Sequence, residues 1–374
     1  MYTRADGRTV GIVHDYLTQH GGAERVVLAM AGAFPGAAVH TTLYDPASTY
    51  PEFRDLDVRV SPLNRLGVLR RSHRAALPLL PLASAAMRPG EDLVIASTSG
   101  WAHGFRGDGM VIAYCHSPAR WLYQSETYLG QPLWRSVPGV ALGLMRPSLV
   151  RWDRRAARRP DRYLCNSRVV RTRIREAYGI DAHVVPAPHG MDPKGEQSPV
   201  VALADWADDG YLLVVSRLLP YKNVDVLVEA VRGSEHRLVV VGAGPQRDAL
   251  AADLPSNVRL TSGLTDAQMR WLYAHARVLL APSHEDYGLT PLEAAAFGVP
   301  SLTLRAGGYL DTVREGVTGL HVNAPDPVLF RAGMAAATAH VWDAVELRAH
   351  AERFSEAAFA ASLHAEVDDL LGTH

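Results

Sequence analysis

The sequence predicts an α/β protein of two doubly wound domains, each a parallel sheet with helices on both faces. Three observations predict it. Short apolar runs alternate with helical patterns, the alternation breaks after residue 190 in a proline- and acid-containing stretch, and it then restarts with the same rhythm. A chain of 374 residues is comfortable for two domains, and 48% hydrophobic with 21% charged residues supplies an ordinary core for each.

Thr9–Val13 reads as the first strand, and Gly21-Gly22 opens an amphipathic helix at Ala23–Phe34. Ala38–Tyr44, Val58–Val60, Asp92–Ser97, Met110–Cys115, Arg162–Asn166 and His183–Val185 follow as apolar runs bounded by polar turns. Strands of this kind separated by helices imply a parallel sheet covered on both faces. This first domain is placed at 1–190 and a linker at 191–209. Strands then alternate with helices from Tyr211–Ser216 through Asn223–Val231, Arg237–Val241, Gly244–Ala252, Val258–Leu260, Asp266–Ala274, Val278–Ala281 and Pro291–Phe297 to Ser301–Thr303. The second domain is placed at 210–350. A terminal helical segment, Glu346–Leu371, has no strand after it; residues 351–374 are expected to pack across both domains. Two such domains leave a cleft at the carboxyl ends of their strands, where α/β sheets bind ligands.

Composition narrows the function. The first residues, MYTRADGRTV, are polar and run into a strand, so a cytoplasmic chain without a secretory leader is expected. No apolar run has membrane-spanning length. Cys115 and Cys165 give neither metal spacing nor a disulfide framework. The net charge of −1 hides an asymmetry: residues 1–190 carry 24 Arg and Lys against 15 Asp and Glu, residues 191–374 carry 14 against 24. A basic first half attracts an anionic partner, a phospholipid surface or a phosphorylated acceptor, or is simply a solvated face rich in arginine. Nucleic acid is not among the expected partners. Asn64–Met87 mixes Arg with Leu and Pro; Pro78 and Pro81 interrupt a long helix, which favours an acceptor-side surface over a lipid anchor, with peripheral membrane contact kept open.

The most specific motif is Glu285-Asp-Tyr-Gly-Leu-Thr-Pro-Leu-Glu293, after the strand Val278–Ala281. Thr290, Pro291 and Glu293 read as N-cap, N1 and N3 of a helix, a capping box with proline at its first position. Such a helix aims free N–H groups and its positive dipole end at a ligand, a setting suited to phosphate. Carboxylates on either side would accept hydrogen bonds from sugar hydroxyls. Glu293 taken alone reads equally well as a cap, and Glu285 as a solvated loop acid. A second motif, Ser216-Arg-Leu-Leu-Pro-Tyr-Lys222, places Arg217 and Lys222 on a loop where both can converge on a diphosphate. Lys222 is one of two lysines in a chain that otherwise chooses arginine, which hints at a need for a compact ammonium.

Taken together, Glu-x7-Glu after a Pro-Ser strand end resembles the signature of the GT4 family of retaining glycosyltransferases, and Arg-x4-Lys is similar to that family's phosphate pair. HDYLTQHGGAERV, with Gly21 and Gly22, resembles its first glycine loop. YCHSPARWLY, with Tyr114, His116 and Arg120, is similar to a mannosyltransferase-like subgroup. The resemblance runs over nearly the whole chain. It implies a GT-B fold, two Rossmann-like domains facing a central cleft, and a hexose, mannose favoured, transferred from a nucleoside-diphosphate sugar with retention of configuration. It places Glu285 against the donor sugar, Glu293 on the ribose, and Arg217 and Lys222 on the diphosphate in place of a metal. The backbone of Gly288, Leu289 and Thr290 falls near sugar and diphosphate, Gly21 and Gly22 near the donor, and His116 beside the donor sugar. Arg120 and Tyr114 are candidates for the acceptor, which would be a glycan, a lipid-linked sugar or a small molecule. No cofactor or metal is implied. A GT-B epimerase or hydrolase, and a non-catalytic nucleotide-sugar-binding protein, would use the same donor-side residues. Val239-Val-Val-Gly-Ala-Gly244 fails as a dinucleotide fingerprint because Arg247 holds the third glycine position.

Overall fold

A computed structural model of the chain describes residues 2–71, 79–124 and 137–372. The middle of Asn64–Met87, Pro78 included, lies outside the described residues. The chain divides into two units: residues up to Pro188 together with the segment from Glu356 onward, and His189–Ser355.

The first unit is built on eight strands: β1 (Tyr2–Thr3), β2 (Thr9–His14), β3 (Ala38–Thr41), β4 (Val58–Val60), β5 (Leu93–Thr98), β6 (Met110–Cys115), β7 (Arg162–Cys165) and β8 (His183–Val184). Their order is β4-β3-β2-β5-β6-β7-β8, with β1 antiparallel on β2 and every other pairing parallel. The central strands are buried almost throughout, which is why their sequences read as continuous apolar runs. Register sets His14 opposite Ser97, and Ser97 opposite Tyr114. The expected terminal helix is two helices. Ala344–Glu352 belongs to the second unit, while Glu356–Gly372 packs on the helix Gly22–Ala33 of the first. Its apolar face, Phe359, Leu363, Val367 and Leu370, is buried there, and Arg162 and Arg4 reach Glu366 and Asp368 at 2.9 and 2.6 Å. Part of the arginine excess is therefore structural. Arg154 and Arg159 donate to backbone carbonyls, and Arg171 and Arg175 share Asp181.

The second unit holds β9 (Tyr211–Val215), β10 (Leu238–Val241), β11 (Val258–Thr261), β12 (Ala276–Ala281), β13 (Ser301–Leu304) and β14 (Gly319–Val322), all parallel, in the order β11-β10-β9-β12-β13-β14. Alternate residues feed alternate faces. Leu212, Val214, Leu238 and Val240 pack with Phe330 and Met334, whereas Tyr211, Leu213, Val239 and Val241 pack with Trp206 and Trp271. Residues 191–209, read from the sequence as a linker, are part of this second core: Met191, Val200, Leu203 and Trp206 are buried in it. The Arg259 guanidinium of β11 lies 3.9 Å from the centre of the Trp206 ring and pairs with Asp205 of the same stretch at 2.6 Å.

Candidate active site

The strand order of the second unit reverses direction between β9 and β12, the switch point at which open α/β sheets bind ligands. The loops that leave their carboxyl ends are Ser216–Asn223 and Pro282–Gly288. Pro220 opens a single turn, Pro220–Lys222, that ends on Asn223 in the left-handed region at φ 53°. The Asn223 amide donates to the Pro282 carbonyl at 3.1 Å and staples one loop to the other. This brings the Lys222 ammonium onto Glu285 Oε1, an oxygen that also accepts from the Ser283 hydroxyl at 2.6 Å. Lys222 is buried, while Arg217 stays exposed and donates to the Tyr221 hydroxyl at 3.2 Å. The two cations flank Tyr221, one buried and one exposed.

The helix after Glu285 starts two residues earlier than the capping-box reading places it. It spans Leu289–Ala296 with Gly288 as N-cap and no side-chain cap. Thr290 is thus N2, and Glu293 lies beyond the first three helical positions. Gly288 has φ +93°, where a side chain is strained, and a Cβ there would stand 2.6 Å from the Tyr309 ring. Pro291 sits within the first turn, where its missing N–H leaves nothing unpaired. Glu293 caps nothing and instead accepts from the Tyr273 hydroxyl at 2.6 Å. Burial, and then the Glu293 charge, push the Tyr273 phenol well above its ordinary range, which keeps it a donor. The helix still presents the N–H groups of Leu289 and Thr290 at its positive end. Gly242 matters for close approach. A Cβ there would collide with the Ser216 carbonyl, so only glycine lets the β10 turn pack against the loop that carries Arg217.

The first unit gathers a second polar cluster at the carboxyl ends of β2, β5 and β6. Asp15 accepts from the backbone N–H groups of Ser99, Trp101 and Ala102 at 2.6, 2.7 and 2.6 Å, fixing the turn after β5. His116 is buried, with Nε2 at 2.9 Å from the Ser97 hydroxyl, and Nδ1 of His14 lies 3.0 Å from the same oxygen. Burial, and then His14, push the His116 imidazole down to about 3, so it is neutral at any ordinary pH. Gly21 caps the helix Gly22–Ala33 in an extended conformation, and the space a side chain would take is filled by the buried carboxyl of Glu24. Burial raises the Glu24 carboxyl above its usual range. Tyr114 does not meet the expectation of an acceptor contact. Its ring is fully buried against Phe359 and its hydroxyl donates to the Val185 carbonyl at 2.8 Å. Arg120 opens the short helix Arg120–Tyr123 and is partly exposed.

Ser97, Glu24, Ser283 and Tyr273 carry these arrangements, and the sequence motifs include none of the four as a site residue. A serine inside an apolar strand and a glutamate two residues after a glycine pair are the signals that point to them in hindsight. Among the described residues, no three His, Cys, Asp or Glu side chains stand together as metal ligands, and no helix is long and apolar enough to cross a membrane.

Residues 20–194 match the family described as Glycosyltransferase Family 4, and residues 204–358 match Glycosyl transferases group 1. Each unit thus carries a match to a glycosyltransferase family model. A relative described as D-rhamnosyltransferase WbpZ, from Pseudomonas aeruginosa, is 29% identical over 57% of this chain and 58% of its own. Another, a GDP-mannose-dependent alpha-mannosyltransferase from Mycolicibacterium smegmatis, is 33% identical over 51% of each chain. The chain thus spans little more than half the length of the curated relatives it matches. Among solved structures, HepE of Anabaena in complex with UDP aligns with a TM-score of 0.68 at 16% identity, over 96% of this chain and all of that one. Sucrose-phosphate synthase from Thermosynechococcus elongatus gives 0.68 at 17% identity, over 98% of this chain and 100% of its own. The fold is GT-B, two parallel-sheet α/β domains.

Proposed function

We propose that this protein is a retaining, metal-independent hexosyltransferase that moves a sugar, mannose before others, from a nucleoside-diphosphate sugar to a hydroxyl acceptor. One observation carries the reading: Lys222, Glu285 and the open end of the helix Leu289–Ala296 converge at the switch point of the second sheet. Fixed cations and helix N–H groups suit a diphosphate, and the cations supply the charge for which other enzymes recruit a metal. Glu285 takes the sugar hydroxyls, and Glu293, held by Tyr273, takes the ribose. Arg217 closes on the diphosphate from the rim. The first unit's share falls on His116 toward the sugar, on the Gly21-Gly22 loop, and on Arg120 toward the acceptor.

Mannose is favoured because two relatives are described as GDP-mannose-dependent. The HepE complex with UDP-glucose keeps UDP as the competing base. For the acceptor, a cavity of about 330 Å³ past β4 is lined by Ser61, Asn64, Arg65 and Arg70, with Leu66 and Val68 exposed between the two arginines. Positive charge beside exposed apolar side chains suits an anionic, lipid-linked acceptor met at the cytoplasmic face of a membrane. A glycan or a small-molecule acceptor would need neither.

The test is a thermal-shift panel of GDP, UDP and ADP, followed by product analysis with the matching nucleotide sugar. A ligand at 100 times its dissociation constant stabilises by about 2.7 kcal/mol. Stabilisation by one diphosphate, weakened in Lys222→Ala, is expected. Rapid epimer formation without acceptor would replace transfer by isomerisation, and binding without any turnover would leave a non-catalytic binder.

A further inference from the structure

His14 closes β2, Ser97 lies opposite it on β5, and His116 follows β6, so one hydroxyl is set between two imidazoles. The Ser97 Oγ–H is a single donor and cannot serve both rings. The backbone decides which it serves. His14 Nδ1 lies 3.1 Å from the Ser97 carbonyl as well as 3.0 Å from its hydroxyl oxygen. A carbonyl only accepts, so a lone pair on Nδ1 would face another lone pair; Nδ1 must carry the hydrogen. The His14 N–H is then shared between the two Ser97 oxygens, and the Ser97 hydroxyl is left to donate to His116 Nε2. A neutral imidazole that accepts on Nε2 holds its proton on Nδ1.

We infer that Ser97 is a positioning residue that fixes His116 as the Nδ1–H tautomer, so that His116 offers its surroundings a hydrogen-bond donor and takes up no proton. All three side chains are buried, so water does not compete for these bonds. The consequence deepens the proposed function and rests on it for its relevance to turnover. Toward a donor sugar, His116 recognises an oxygen, and the proton released by an attacking hydroxyl goes elsewhere.

The experiment uses the full chain labelled with ¹⁵N-histidine, read by long-range ¹H–¹⁵N correlation at pH 7. His116 and His14 signals are identified by their loss in His116→Gln and His14→Gln. In the wild type His116 is expected with a protonated Nδ1 and a bare Nε2, and His14 with a protonated Nδ1. In Ser97→Ala the His116 pattern moves toward the Nε2–H form, and kcat falls about tenfold while the melting temperature changes little, in keeping with one lost neutral hydrogen bond. Ser97→Thr keeps the hydroxyl and is expected to restore both the wild-type tautomer and most of the rate. A protonated Nε2 on His116 in the wild type overturns the inference, as does a His116 pattern unchanged in Ser97→Ala. The expected tautomers combined with wild-type turnover in His116→Gln would leave the assignment standing and remove His116 from the reaction.

Discussion

Lys222 and Glu285 neutralise each other, and that pairing has a measurable consequence for ligand binding. On the proposed function, a diphosphate arriving at the Lys222 ammonium would compete with a carboxylate already there. Glu285→Gln removes the competitor while leaving the ammonium in place. Two unit charges at 4 Å attract by about 4 kcal/mol at an effective dielectric near 20. The two side chains are 10% and 19% exposed, and part of the attraction is offset by what a neutral Gln still donates and accepts. A net gain of about 1–2 kcal/mol remains, which corresponds to roughly five- to thirtyfold tighter binding. The assay is titration calorimetry with a sugar-free nucleoside diphosphate, so that contacts between Glu285 and a sugar are not read. Lys222→Met is expected to weaken the same ligand at least tenfold, and the double variant to resemble Lys222→Met alone, since the carboxylate acts only through the ammonium. Turnover of the intact donor by Glu285→Gln should fall in spite of the tighter diphosphate. Unchanged or weaker diphosphate binding in Glu285→Gln would refute the competition and detach Lys222 from the phosphate.

Three further outcomes are expected. Tyr273→Phe removes the hydroxyl on Glu293 Oε2 and keeps the ring stacked on Phe297, so nucleotide affinity measured by calorimetry should drop about tenfold, the scale of one hydrogen bond to a charged group. Gly288→Ala should cost about 1–2 kcal/mol in backbone strain plus the displacement of Tyr309, whereas Gly7→Ala, at φ +84° with nothing within 4 Å, should cost the strain alone; urea midpoints compare the two. The third concerns pH. His116 sits near 3 in the folded chain against about 6.5 unfolded, so the folded state binds fewer protons; its contribution is present above about pH 6.5 and fades as pH falls toward 3. Glu24 is shifted the other way: the folded state holds its proton longer, and that contribution fades as pH rises above the ordinary carboxylate range near 4.3. Melting curves from pH 5 to 8 should therefore flatten at the acid end in His116→Gln and gain stability at the alkaline end in Glu24→Gln.

The strands are legible in the sequence because parallel strands buried on both faces write themselves as apolar runs. β14, GLHV, is not, since a four-residue edge strand with a histidine in it has no such run. The helix Val137–Ala156 escapes too: Pro147 sits inside it, and its arginines blur the apolar period. In the site, the order of the loops is readable, and so are the residue types that suit phosphate and sugar. The cap is not, because Thr-x-x-Glu starts a helix only when the threonine is extended. Here Gly288, in the left-handed region, turns the chain first. Tyr273 has no sequence signal of its own, and the signal of Ser97, a serine inside an apolar strand, does not name its partners. Their partners lie across a strand register or on another element, distances that no local pattern encodes.

The same topology places chemistry in both units, yet the two units solve burial differently. In the second, the loops past β9 and β12 bring opposite charges together, and a buried ammonium is tolerable because a carboxylate and a hydroxyl stand on it. Such a site recognises charge, and its affinity should weaken with salt. In the first, the ends of β2, β5 and β6 hold a chain of imidazole, hydroxyl and imidazole whose His116 end is neutral, together with a glutamate whose burial favours its protonated form. Recognition there runs through fixed donors and acceptors, which read the orientation of hydroxyl groups and carry little salt dependence. That division explains why the lysine and the double glutamate are visible as a charge pattern while the serine that orients His116 is not.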